Sequence, residues 1–127
     1  MYKIRMGVPE MAVVWAELSS KADKGLLNKD EQILFRKLVK ALSYLRDNPR
    51  YPGLKTHEIS ALSKRMGFKI WQSYLENRKS AAGRIFWTYG PEKHEITILG
   101  MEPHPESQKR GAYDRVKLSD VPDSISE

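Results

Sequence analysis

The spacing of apolar residues changes once along this chain, and that change restricts the fold class more than any other feature. Between Met11 and Leu45 the apolar residues recur at the intervals of a helix, three and four positions apart. From Leu54 onward they alternate with polar residues over short segments, as they do in strands. Two helices followed by several strands predict an α+β domain in which a helical hairpin packs on a small twisted sheet.

Signals for starting and stopping a helix predict two helices before residue 49. Pro9 stands where the first helical residue of one is expected, because its backbone has no N–H to satisfy there. Asn28, with Glu31 three positions later, has the spacing of a capping box that opens the second helix. The second helix should end before Pro49, since a residue that precedes proline disfavours helical backbone.

The predicted strands are short and follow one another after the helices. An opening strand covers Tyr2–Met6, and later strands cover Leu54–Ile59, Phe68–Leu75, Ala82–Tyr89 and Glu95–Met101. Three or four strands in succession after the helices give the predicted order β-α-α-β-β-β, with a mainly antiparallel sheet whose face away from the hairpin is open. We expect one domain over residues 1–118 and an acidic, flexible tail over 119–127.

Charge favours a polyanionic partner. The chain has 127 residues with 22 Lys and Arg against 16 Asp and Glu, a formal net charge of +6. All the basic residues lie within residues 1–117, whereas the last ten residues carry only acidic charges, on Asp120, Asp123 and Glu127. A basic domain of this size is typical of proteins that bind nucleic acid, although many small bacterial proteins are basic without such a role.

Several function classes are excluded by what the sequence lacks. There is no cysteine, which excludes disulfides, thiolate–zinc sites and cysteine nucleophiles. The longest apolar run, Met11–Ala16, is too short to span a membrane, so we expect a cytoplasmic protein with no membrane partner. His57, His94 and His104 have no partner at the spacing of metal ligands, and no glycine-rich phosphate loop occurs, so we expect neither metal nor cofactor.

The second half of the chain holds the groups that cofactor-free RNA cleavage needs. That reaction removes a proton from a 2′-OH, stabilises the charge of a phosphorane and protonates the 5′-oxygen. Arg and Lys serve the second requirement, and His, Glu or Tyr serve the proton transfers. The candidates for catalysis are Arg84, Tyr113, His57, His104 and Glu76, and those for RNA binding are Lys55, Lys69, Arg78, Lys79, Lys109 and Arg110.

The chain resembles the toxins of the RelE/ParE superfamily, from bacterial type II toxin–antitoxin systems. The resemblance rests on NPRYPGLKTHEI at Asn48–Ile59, IWQSYLEN at Ile70–Asn77, AAGRIFWTYGPEKHEITILGMEPHP at Ala81–Pro105 and KRGAYDRV at Lys109–Val116. It implies a RelE-like fold and a metal-independent endoribonuclease that cleaves mRNA on the ribosome. It also implies a cognate antitoxin that docks on the helical hairpin of residues 10–47.

The resemblance also assigns roles to single residues. Arg84 matches a strand arginine that contacts the scissile phosphate, Tyr113 matches a tyrosine active in proton transfer or stacking, and Lys109 with Arg110 matches a second phosphate-binding cation. The family's Lys-x-Lys pair is missing from the middle strand. Lys55 and His57, expected on one strand face, are its substitutes together with Glu76, so the identity of the general base stays open. A ParE-like poison of DNA gyrase, or a basic nucleic-acid-binding protein without catalysis, is the alternative.

Overall fold

A computed structural model describes residues 1–75 and 83–102, which form three helices and a mixed five-stranded sheet. The strands are β1 (Lys3–Arg5), β2 (His57–Glu58), β3 (Trp71–Tyr74), β4 (Arg84–Tyr89) and β5 (Glu95–Glu102); the helices are α1 (Pro9–Asp23), α2 (Lys29–Asp47) and α3 (Ser60–Met66). The strand order across the sheet is β1-β5-β4-β3-β2. Neighbouring strands are antiparallel except that β1 runs parallel to β5. The α+β class is confirmed.

The two long helices begin as their sequence signals predict. Pro9 is the first residue of α1. At the start of α2 the Asn28 side-chain oxygen accepts from the Glu31 N–H at 2.8 Å, and the Glu31 carboxylate accepts from the Asn28 N–H at 3.0 Å. This backbone hydrogen bond, together with the nearby Lys21 ammonium, lowers the pKa of Glu31. The carboxylate therefore favours the folded state above its unfolded pKa, and this contribution is lost as the pH falls through its folded pKa.

The helical hairpin covers one face of the sheet. Leu38 and Leu45 of α2 are fully buried in one cluster with Ile85 and Trp87 of β4 and with Ile98 of β5. Alternation along β4 places those β4 side chains toward the helices and sends Arg84, Phe86 and Thr88 to the other face, as the sequence predicts. The burial of this helical stripe, rather than helix propensity, provides most of the stability of the hairpin.

The face away from the hairpin is not open along its whole length, which corrects the sequence-based expectation. The predicted strand Leu54–Ile59 is replaced by a 3₁₀ turn at Pro52–Leu54, the two-residue strand β2 and then α3. Leu62 of α3 is buried in a second cluster with Ile70 and Phe86. A single buried side chain in a seven-residue helix leaves no helical period in the sequence, so α3 was not predicted.

Two further expectations concern the limits of the chain. None of the helices in the described ranges 1–75 and 83–102 is both long enough and apolar enough to cross a membrane. The predicted domain boundary at residue 118 and the acidic tail at 119–127 lie outside the described residues.

A buried chain of hydrogen bonds fixes the segment that precedes β2. The Trp87 indole N–H donates to the Ser73 hydroxyl oxygen at 2.8 Å, and the Ser73 and Thr56 hydroxyls are 2.7 Å apart. Thr56 donates its own hydroxyl hydrogen to the Pro49 carbonyl at 3.0 Å, so Ser73 is the donor in the middle contact. The chain therefore runs from β4 through β3 to residues 49–56 and holds them against the sheet.

Replacing Ser73 by alanine should lower the free energy of unfolding by about 1–3 kcal/mol, because the fully buried Trp87 N–H loses its acceptor. Urea unfolding followed by tryptophan fluorescence measures this loss. Ser43→Ala is the matched control, because in the described part of the chain the Ser43 hydroxyl donates only to the Val39 carbonyl, in a solvent-exposed contact within α2. That variant should stay within about 0.5 kcal/mol of the parent. Equal losses in the two variants would contradict a structural role for the buried chain.

Candidate active site

The imidazole of His57 is held by backbone at the sheet edge formed by β2. Its Nδ1 lies 2.9 Å from the carbonyl oxygen of Lys55. A carbonyl oxygen only accepts, so Nδ1 carries the proton in the neutral ring and Nε2 is left as the acceptor. The residue itself is exposed. His57 therefore presents an oriented base at the surface.

Gln72 joins this imidazole to Arg84. The side-chain nitrogen of Gln72 is 3.3 Å from His57 Nε2, and Arg84 donates through Nη1 to the Gln72 side-chain oxygen at 3.4 Å. The strand register permits this series of hydrogen bonds. His57 on β2 aligns with Gln72 on β3, and two residues further along β3 Tyr74 aligns with Arg84 on β4. The donors all point the same way, from the guanidinium through the amide and the imidazole to the backbone carbonyl. We call Arg84, Gln72 and His57 the polar triad.

Sequence reasoning missed Gln72. It is 1% exposed on β3, between the apolar residues Ile70 and Leu75. A polar amide in such a buried strand needs hydrogen-bonding partners, and that requirement was the available signal. Its two contacts exceed the usual range of about 2.7–3.2 Å, so they are weak and easily exchanged for contacts to a ligand.

Tyr74 is an aromatic residue beside the polar triad. Its ring meets the His57 ring edge-on, with 6.5 Å between the ring centroids. It is also the register partner of Arg84 on the adjacent strand. A half-buried phenol ring beside an imidazole and a guanidinium is suited to stacking against an unpaired base.

Lys55 reaches the site through its backbone rather than its side chain. The residue ends the 3₁₀ turn with φ 50° and ψ 41°, so it is not part of β2. The expectation that Lys55 and His57 share a strand face is therefore wrong, because the strand begins only at His57. The exposed Lys55 side chain instead lines a separate cavity of about 420 Å³ together with Arg50, Tyr51 and Tyr89.

Tyr89 gives that second cavity a neutral phenol. Burial, with a smaller contribution from the neighbouring Tyr2, raises the pKa of Tyr89 above its ordinary value. The phenol therefore stays protonated at neutral pH and offers a hydroxyl donor. Nothing in this geometry connects Tyr89 to the polar triad.

Lys69 is not brought to the polar triad. It precedes β3, five residues before Tyr74, whose partner across the sheet is Arg84. At about 3.3 Å per residue this places Lys69 roughly 16 Å along the sheet from Arg84. Its backbone carbonyl accepts from the Thr88 hydroxyl at 2.8 Å, while its side chain is exposed. Lys69 therefore lies far from the polar triad along the sheet.

The remaining sequence candidates lie outside the described residues. They are Glu76, Arg78, Lys79, His104, Lys109, Arg110 and Tyr113. Within residues 1–75 and 83–102, no three His, Asp or Glu side chains come together as metal ligands. The described part of the site therefore consists of a cation, an amide, an imidazole and a phenol.

These four side chains are of the types that bind a phosphodiester and transfer protons. A partly buried guanidinium recognises the oxygens of a phosphodiester, and an oriented imidazole exchanges a proton with a hydroxyl beside it.

Comparison with known proteins does not assign the chain to a family. No protein-family model, no curated protein and no solved structure matches the chain.

Proposed function

We propose that the protein is a RelE-like endoribonuclease toxin of a type II toxin–antitoxin system, which cleaves mRNA by attack of a 2′-OH on the adjacent phosphate. The observation that carries this proposal is the polar triad, in which a phosphate-binding guanidinium and an oriented imidazole are joined by one amide. The net charge of +6 and the resemblance to RelE/ParE toxins support it. The substrate is single-stranded mRNA, bound on the ribosome.

Arg84 stabilises the phosphorane in this mechanism. Attack by the 2′-oxygen places extra negative charge on the two non-bridging oxygens. A guanidinium carries five N–H donors in a planar fork, so donation to Gln72 is compatible with donation to those oxygens. The contact strengthens as the charge develops, which is the condition for lowering the barrier rather than merely binding RNA.

His57 acts as the general base through Nε2. The 2′-OH takes the place of the weakly bound Gln72 amide, donates its hydrogen to Nε2, and transfers that proton as the oxygen attacks. The Lys55 carbonyl keeps the Nδ1–H in place and stabilises the imidazolium that forms. Gln72 keeps Arg84 and His57 in one arrangement before RNA arrives. Protonation of the leaving 5′-oxygen is assigned to His104 or Tyr113 on the basis of the sequence alone.

The proposed reaction is tested by cleavage of a labelled mRNA, free in solution and during translation in vitro. We expect cleavage to leave a 2′,3′-cyclic phosphate, and we expect a single 2′-deoxynucleotide at the mapped position to block it, because the nucleophile is then missing. The same RNA with a 2′-deoxynucleotide several positions away is the control. Cleavage that continues at the 2′-deoxy position would contradict 2′-OH attack. Absence of any cleavage, together with inhibition of DNA gyrase, would favour the ParE-like alternative.

A further inference from the structure

A second cationic cleft lies between α2 and the 3₁₀ turn, and the polar triad does not use it. Its volume is about 340 Å³, within the range of ligand pockets. The side chains that give it its chemistry are Arg36, Lys37, Lys40, Tyr44, Tyr51 and Tyr74. None of the described residues that line it is acidic. We call these six residues the α2 cleft.

The charges of the α2 cleft are arranged for an anion. Arg36 and Lys40 are one helical turn apart and both are exposed. Like charges at this spacing weaken a helix unless a counter-charge lies beside them. In the described part of the chain neither of these two side chains forms a hydrogen bond or an ion pair. A bound polyanion would supply such a counter-charge.

The aromatic side chains of the α2 cleft favour a nucleotide over a simple anion. Tyr44 and Tyr51 stack face to face with 4.2 Å between ring centroids and 11° between ring planes, so a base would extend this stack on an outer face of the pair. Single-stranded nucleic acid binds where cations follow its backbone and aromatic rings stack on its bases. Because every base has a flat face, stacking of this kind binds RNA with little sequence preference.

Tyr74 connects the α2 cleft to the polar triad. It lines the cleft, its ring contacts His57, and it is the register partner of Arg84. An RNA strand whose reacting phosphate lies at Arg84 therefore passes Tyr74 when it continues toward α2. The order along the strand is reacting phosphate, Tyr74 and then the cations of α2.

We propose that the α2 cleft binds a nucleotide of the same single-stranded RNA, next to the bond that the polar triad cleaves. This inference rests on the proposed function for the identity of the strand, and on the charges and rings of the cleft for the class of ligand. Its role is to hold substrate in place, so its loss raises KM and leaves kcat nearly unchanged.

The test compares the double variant Arg36→Gln, Lys40→Gln with the full-length parent. The binding probe is a fluorescent single-stranded 2′-O-methyl oligoribonucleotide, which cannot be cleaved. We expect the affinity at low salt to fall about tenfold, and the log–log salt slope to become shallower by about 1.4, since each phosphate contact contributes about 0.7 on single strands. The control variant Lys24→Gln, Lys93→Gln removes the same charge from exposed positions away from the cleft and should bind almost as well as the parent.

The possible outcomes separate this inference from the proposed function. An affinity and slope equal to those of the control variant would overturn the inference, whether or not the parent cleaves RNA. If the double variant loses probe binding and the parent never cleaves RNA, the RNA-binding cleft is upheld and the proposed nuclease activity is contradicted. Binding of poly-glutamate that the double variant loses, without binding of the probe, would identify an acidic protein segment as the ligand and overturn the inference. Circular dichroism and urea midpoints matched to the parent establish that the variants are folded.

Discussion

Replacing Arg84 by alanine should lower the rate of RNA cleavage by about 10²–10³, which corresponds to roughly 3–4 kcal/mol of transition-state stabilisation. The guanidinium is half-buried on β4 and donates to Gln72, so in the proposed mechanism it is held in place before the phosphorane charge develops. Affinity for uncleaved RNA should fall much less, because the cations of the α2 cleft still hold the strand. The measurement is single-turnover cleavage at saturating enzyme, together with probe binding.

Two further variants give this experiment its controls. Arg84→Lys should restore little activity, because an ammonium cannot reproduce the planar two-pronged contact to phosphate. Arg46→Ala removes an exposed guanidinium at the end of α2. The Arg46 carbonyl accepts from the Tyr2 N–H, which places Arg46 beside β1, at the sheet edge opposite β2. It should cleave at the parental rate. Cleavage by Arg84→Ala at a rate close to that of the parent would remove Arg84 from the site.

Replacing Phe86 by alanine should lower the free energy of unfolding by about 3–5 kcal/mol, the usual cost of a large cavity in a well-packed core. Phe86 is fully buried in the cluster with Leu62, Ile70 and Leu99. The loss falls on the contacts that hold α3 to the sheet. Since single domains are stable by only about 5–15 kcal/mol, this one change removes a large fraction of the total. Urea unfolding at equilibrium measures it.

The loss in the free energy of unfolding should depend on how much side-chain volume is removed at residue 86. Phe86→Leu keeps most of the buried volume and should cost less than about 1.5 kcal/mol. Val13→Ala, at a position of α1 that is 56% exposed, should change stability by at most about 0.5 kcal/mol. A Phe86→Ala protein as stable as Val13→Ala would show that α3 does not depend on this cluster.

The helical half of the fold could be predicted because its signals are local. The capping box of Asn28 and Glu31 lies within one turn, and the buried stripe of α2 repeats at the helical interval over several turns. The facing of β4 could be predicted for the same reason, since alternation places Arg84 and Phe86 on one side.

The site could be predicted only in part, because its contacts cross between strands. Arg84 and His57 were named as candidates, but nothing in the sequence brings them together. The contact between Arg84 and His57 depends on Gln72. Gln72 on β3 aligns with His57 on β2, and these two strands are separated in the chain by α3. Register between strands that are not joined by a short turn is a property of packing, which a sequence pattern does not contain.

The parallel pairing of β1 with β5 has a consequence for how the chain folds. Lys3 aligns with Glu95, so the first strand to be synthesised must wait for the last strand of the described part before it gains a partner. Before β4 and β5 have been synthesised α1 and α2 can form, but the apolar stripe of α2 has no sheet to cover it. Contacts between distant parts of a chain form slowly, because their entropy cost precedes any gain. We therefore expect the helical hairpin to form early and to be the aggregation-sensitive part of folding, and β1 to pair with β5 late.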